Sequence, residues 1–245
     1  MAKTDISKIK FSVDLQKQAL KHLDFLEEVN NLRFDEATLA KAAYRYEKIW
    51  IPFYLKHYSS HSQIFPPIDV AFIWHCHMLS PTNYEKDCLN MCGKIIDYEL
   101  LTLKEIHSKQ TETKPIWESE YFNNKISFEF QNNSSIDQRD FNSFQSNFDY
   151  NLIEAGKRQL SFYYQVSLKH YRSKEFLTLA LNRYKKFLNL KVINPKSYIV
   201  PCYAIDLIWH THQLHPINYK NDTIRITGKT VKFIYHLSIL FSESN

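Results

Sequence analysis

The feature that most constrains this chain is a duplication. Residues 70–87 read VAFIWHCHMLSPTNYEKD and residues 205–222 read IDLIWHTHQLHPINYKND. Sliding the chain by 135 residues pairs 66–94 with 201–229, with 12 of 29 positions identical. Upstream, Arg45-Tyr46 pairs with Arg183-Tyr184 at a shift of 138, so a connection is three residues shorter in the second copy. Length changes of that kind fall in loops, and a repeated supersecondary unit buries its apolar face against its neighbour.

Each copy reads as four helices. The first runs from about Asp14 to Asn31 and is matched by about Asp149 to Tyr164, each opening on an aspartate suited to the N-cap. The second starts after Asp35 or Ser173, with Leu39, Ala43, Tyr46, Ile49, Trp50 and Phe53 along one face at spacings of three and four. The third carries Trp-His-x-His and opens at Pro67 in the first copy. The fourth begins at Pro81 or Pro216 and stops at Gly93 or Gly228, the place of an αL cap. With 3 glycines in 245 residues, glycine-dependent hairpins are few, and this disfavours sheets. The prediction is an all-α protein of two pseudo-symmetric four-helix repeats, 13–97 and 148–232, packed into one domain. The Trp-His-x-His helices are expected near their interface, and a polar linker or excursion over 98–147 separates the repeats. Within it, KISFEFQ (125–131) alternates like a short strand.

Composition excludes little beyond membrane spans. Hydrophobic residues make up 44% and the net charge of +5 is scattered, without a run of five basic residues. No apolar run approaches the roughly 18 residues of a span and no signal peptide is read, so the expectation is a cytoplasmic protein with Cys76, Cys88, Cys92 and Cys202 reduced.

The motif invites a chemical reading. His75, His77, His210 and His212 are candidate ligands of zinc or iron, with Tyr84, Tyr219, Asp87, Asp222 and Asp206 in support. Asp206 stands four residues before His210, where the first copy has Ala71. In a regular helix, however, residues two apart turn by about 200°, so neighbouring histidines face opposite ways and one ion needs both copies. The competing reading makes the histidines hydrogen-bonding partners of a buried helix junction, which explains why both copies keep them. A DNA-binding helix-turn-helix is disfavoured because PTNYEKDCLNMCG is not basic, and no phosphate loop or nucleophile elbow occurs.

Taken together, PPIDVAFIWHCHMLSPTNYEKDC, RQLSFYYQVS, FLTLALNRYKKFL and VPCYAIDLIWHTHQLHPINYKND resemble the glycine-rich domain protein-like family of plants, fungi and other eukaryotes. The resemblance implies a link to growth and abiotic-stress responses and brings no enzymatic activity. RNA contacts are implied for the glycine-rich tail of some members. This chain lacks that tail and continues as TVKFIYHLSILFSESN, which raises the expectation of a truncated or alternatively spliced end. The function expected is a non-catalytic intracellular interaction module with a protein partner, RNA being a weaker candidate. The alternative is a metal-dependent enzyme, such as a hydrolase, built on the four histidines.

Overall fold

A computed structural model describes residues 6–58, 64–124, 126–129, 141–194, 197 and 199–231. The protein is all-α, and no strand occurs among the described residues. The helices are α1 (Leu15–Asn31), α2 (Glu36–Tyr44), α3 (Ile51–His57), α4 (Ile68–Met78), α5 (Pro81–Cys92), α6 (Leu103–Glu120), α7 (Leu152–Val166), α8 (Lys174–Ile193), α9 (Tyr203–Gln213) and α10 (Pro216–Thr227). A π-helical turn, Arg45–Trp50, joins α2 to α3, and the Ile51 N–H reaches back to the Tyr46 carbonyl. Pro52 follows directly, without the N–H that a continuous α-helix would need from it. The Ile49 carbonyl in this turn accepts from the Tyr121 hydroxyl at 3.2 Å.

Local chemistry sets most boundaries. Asp14 caps α1 by accepting from the Lys17 N–H, Asp35 forms a capping box with Thr38, and Ser173 caps α8. Gly93 and Gly228 close α5 and α10 with φ of 71° and 79°, a conformation that costs glycine nothing. The cap of α7 is Asn151, not Asp149: Asn151 receives the Ile153 and Glu154 N–H groups, while Asp149 pairs with Lys86 outside the helix.

The buried side chains form two cores, and the first helix of each copy is shared between them. Leu15, Ala19, Leu23 and Leu26 of α1 lie in the core built by α8 and α9, whereas Phe25 and Val29 lie in the core built by α2 to α5. The converse holds for α7: Leu152 and Ala155 enter the first core, Phe162 and Val166 the second. The cores are therefore interlocked. At roughly 1.5–3 kcal/mol per large apolar side chain, the residues each helix lends to the other copy's core weigh heavily in holding the two together. Gly156 records the closeness of one contact, since a Cβ there would sit 2.8 Å from Leu39 Cδ2 of α2.

The segment between the copies, expected as a polar linker or excursion, is partly helical. Its α6 is an 18-residue helix with a Thr102–Glu105 capping box, and its Ile106, Thr113 and Trp117 are buried. Chain polarity hid this helix, because only those three of its 18 residues are buried. Residues 126–129 are extended and bent, not strand; Lys125, Phe130 and Gln131, which complete the alternating stretch, lie outside the described residues, as does the end of the chain beyond Val231. An ion pair fixes this segment. Arg45, fully buried, donates to Asp69 at 2.7 Å and to the carbonyls of Ser127 and Phe128 at 3.1 and 2.9 Å. The second copy has Ala204 where the first has Asp69, and its Arg183 is exposed.

Candidate functional site

The helix α4 buries nearly every side chain it carries, because it is covered by α2, the π turn, α5 and α7 at once. α9 is similarly enclosed by α1, α7, α8 and α10. The two histidines of each motif consequently meet different surroundings, as the 200° separation requires.

His77 and His212 each sit in a Tyr–His–Asp chain. The Tyr46 hydroxyl is 3.0 Å from His77 Nδ1, and His77 Nε2 is 3.0 Å from Asp87 Oδ2. In the second copy Tyr184 is 3.0 Å from His212 Nδ1, and His212 Nε2 is 3.3 Å from Asp222 Oδ2. Since a neutral imidazole has one donor and one acceptor, and a carboxylate can only accept, the proton belongs on Nε2 and the tyrosine donates to Nδ1. Beside each chain the tryptophan N–H donates to a tyrosine hydroxyl: Trp74 to Tyr84 at 2.9 Å and Trp209 to Tyr219 at 2.8 Å. Those hydroxyls donate to the Ile96 and Val231 carbonyls, which ties α5 and α10 to the segments that follow their terminal glycines. Each ring is also covered by an aromatic that precedes the other copy's first helix, Phe148 on His77 at 4.8 Å and Phe11 on His212 at 5.0 Å.

The second chain is tied down further. Asp222 accepts from the Ser12 N–H and hydroxyl, both at 2.7 Å, and from Arg225 at 2.7 Å. Burial pushes its carboxyl up, but the hydrogen bonds from His212, Ser12 and Arg225 outweigh this and hold it below the ordinary carboxylate range.

His75 and His210 turn instead toward the first helices. His75 lies 5.0 Å from the His22 ring and 5.4 Å from Phe25. His210 lies 4.6 Å from Phe162. His22 Nδ1 is 3.0 Å from the Thr211 hydroxyl, which itself donates to the Leu207 carbonyl at 2.7 Å, so His22 is the donor. The motif turns meet nearby, with Met78 and Pro81 from one copy facing Gln213 and Pro216 from the other, and Lys220 pairing with Glu85 at 2.7 Å.

The four candidate metal ligands are therefore divided between two Tyr–His–Asp chains and a junction. Among the described residues no three His, Cys, Asp or Glu side chains form a set able to hold a metal ion. Tyr84 and Tyr219 serve the tryptophans. Asp206 is not the carboxylate expected beside His210: burial alone raises it to about 8, so it is mostly protonated at neutral pH, and its Oδ1 has no hydrogen-bond partner. The cysteines are free, and burial pushes the Cys88 thiol up to about 11. Sequence reasoning missed Tyr46, Tyr184 and His22 as partners. The repeated Arg-Tyr pair was the available signal for the two tyrosines.

Burial also makes these histidines acid-sensitive. The imidazoles of His22, His75, His77, His210, His212 and His215 are all lowered from 6.5 by desolvation, His75 and His210 to about 3 and His215 to about 4. Below pH 6.5 the unfolded chain binds more protons than the folded one, so their contribution is intact above that pH and lost as pH falls beneath it. Asp206 opposes this, since its raised carboxyl favours the fold toward acid. The six histidines outweigh it, with an expected net loss of roughly 2–5 kcal/mol between pH 7.5 and 5.5 in urea unfolding. Equal stability at the two pH values would contradict these assignments.

Fold and site together define an all-α protein in which a duplicated Trp-His-x-His motif supplies internal hydrogen bonds to two interlocked cores. The family model for glycine-rich domain-containing protein-like sequences matches residues 1–87 and again 83–222. Two proteins of Arabidopsis thaliana are similar: glycine-rich domain-containing protein 1, 38% identical over 242 residues, and glycine-rich domain-containing protein 2, 37% identical over 238 residues. Each alignment covers 93% of this chain but 29% and 30% of the relatives, so the chain spans less than a third of their length. No solved structure matches. The chain belongs to the glycine-rich domain-containing protein-like family.

Proposed function

We propose that this chain is a non-catalytic interaction module acting inside the cell, with a protein partner, in the growth and stress responses that the family resemblance implies. One observation carries the reading: His77 and His212 are buried and held between a tyrosine and a carboxylate, so both rings are occupied by partners inside the fold. Function then resides on the surface that this frame supports. The metal-hydrolase alternative needs the four histidines around one ion, and their division between separate partners lends it no support.

Affinity capture with the folded chain, beside an unfolded Trp209→Ala control, tests the proposal. A partner retained by the folded chain alone, together with no turnover of ester, phosphate or peptide substrates in added zinc or iron, is the expected result. Metal-dependent turnover abolished by His212→Ala would overturn it. Steeply salt-dependent RNA binding at low salt would move the partner class to RNA.

A further inference from the structure

A cavity of about 240 Å³ opens on the first copy, away from both Tyr–His–Asp chains, and its walls are unusual in composition. Tyr54, Tyr58, Trp74 and Tyr98 line it, together with the carboxylates of Asp97 and Glu99. The rings do not stack into a closed face. Tyr54 meets Trp74 at 5.5 Å and 69°, and Trp74 meets Tyr98 at 5.2 Å and 69°, so consecutive rings stand as adjoining walls. Tyr58 adds an outer wall 4.8 Å from Tyr54.

Three of the walls are fixed before any ligand arrives. Trp74 is 5% exposed and anchored through its N–H to Tyr84, and Tyr54 and Tyr98 are 7% and 8% exposed. Tyr58, at 45%, is the solvent-facing one. Ring faces carry negative quadrupole potential, and a cation shielded from strong hydration gains most from them because it loses least on leaving water. Asp97 and Glu99 are exposed at the rim, where they attract a cation without being buried themselves. Lys109 also contributes to the lining and leaves it with one net negative charge. A compact ammonium ion can pair with the carboxylates in water as well as here, whereas a methylated ammonium, with its apolar positive surface, fits the rings better than it fits bulk solvent.

We infer that this cavity is an aromatic cage for a methylated ammonium head group, of the kind carried by trimethyllysine in a peptide or by choline. The site belongs to the first copy alone: Val192 stands at the position corresponding to Tyr54 under the 138-residue shift. The inference rests on the interaction-module reading and names a ligand class for it. The two fail separately, since partner capture tests the module and small-ligand titration tests the cage.

The test is calorimetric titration of the full chain with three probes: a short peptide bearing Nε-trimethyllysine, the same peptide with unmodified lysine, and choline chloride. The expected result is at least about tenfold tighter binding of the trimethylated peptide than of the unmodified one. Tyr58→Ala, at an exposed position, is expected to weaken binding about fivefold or more while circular dichroism stays unchanged, and Tyr58→Phe, which keeps the ring, to retain it. Binding of choline as well assigns recognition to the head group; binding of the trimethylated peptide alone assigns it to a protein ligand, and either supports the cage. Equal affinity for the two peptides, no binding of any probe, or undiminished binding by Tyr58→Ala would overturn it.

Discussion

Asp69→Ala is expected to destabilise the protein by about 3–5 kcal/mol, among the largest effects of any single substitution away from the motif, because it strands a guanidinium inside the first core. Arg45 and Asp69 are both fully buried, and the other hydrogen bonds of Arg45 among the described residues go to the Ser127 and Phe128 carbonyls. Burial raises the Asp69 carboxyl, with Arg45 pulling it back, and burial lowers Arg45; the pair is tolerated only as a pair. Replacing both, as Arg45→Met with Asp69→Leu, is expected to recover most of the loss, since two buried charges exchanged for apolar volume are often neutral or better. Guanidinium unfolding of the three proteins checks this. A double variant as unstable as Asp69→Ala alone would mean that docking of the 126–129 segment through its carbonyls, not charge balance, is what Arg45 contributes.

The second large effect is at Asp222. It gathers His212, the Ser12 N–H and hydroxyl, and Arg225, and so connects α10, the motif histidine and the segment leading into α1. Asp222→Ala removes three hydrogen bonds and the 3.3 Å contact that faces the buried His212 Nε2, an expected loss of about 3–5 kcal/mol. Asp87 receives His77 alone among the described hydrogen bonds, so Asp87→Ala is expected to cost less, about 1–3 kcal/mol. The comparison matters because the two residues occupy corresponding positions of the duplicated motif. Equal costs would show that the additional anchoring at Asp222 contributes nothing. Amide hydrogen exchange gives a second readout: Asp222→Ala should release protection in the first half of α1, whose Leu15, Ala19 and Leu23 pack in the second core.

What the sequence could reveal divides along a physical line. Signals that act within a turn of helix were legible: Asp14, Asp35 and Ser173 as caps, Pro81 and Pro216 as first-turn residues, Gly93 and Gly228 as αL terminators. The opposed directions of His75 and His77 also followed from helix geometry alone. The sharing of α1 and α7 between cores was not legible, because Phe11 and Phe148, or Leu15 and Leu152, present the same apolar pattern to either copy and only three-dimensional packing chooses. The α6 helix was hidden by its polar face and by Pro115 in its interior, although Thr102 and Glu105 stood at capping-box spacing. Asp206 misled for a different reason: its position one turn before His210 was right for a supporting carboxylate, but burial without a donor keeps a carboxyl protonated.

In this fold His77 and His212 are neutral, internally bonded rings. Long-range ¹H–¹⁵N correlation spectra of the imidazoles, followed from pH 5.5 to 8, report this directly. Both rings should show the proton on Nε2, facing Asp87 and Asp222, with Nδ1 accepting from Tyr46 and Tyr184, and each should stay neutral at pH 7, with its titration displaced below the ordinary 6.5, and should not respond to added zinc. A ring that titrates near 6.5, or that gives up its Nε2 proton to zinc while the protein stays folded, would contradict the structural role and return the motif to metal chemistry.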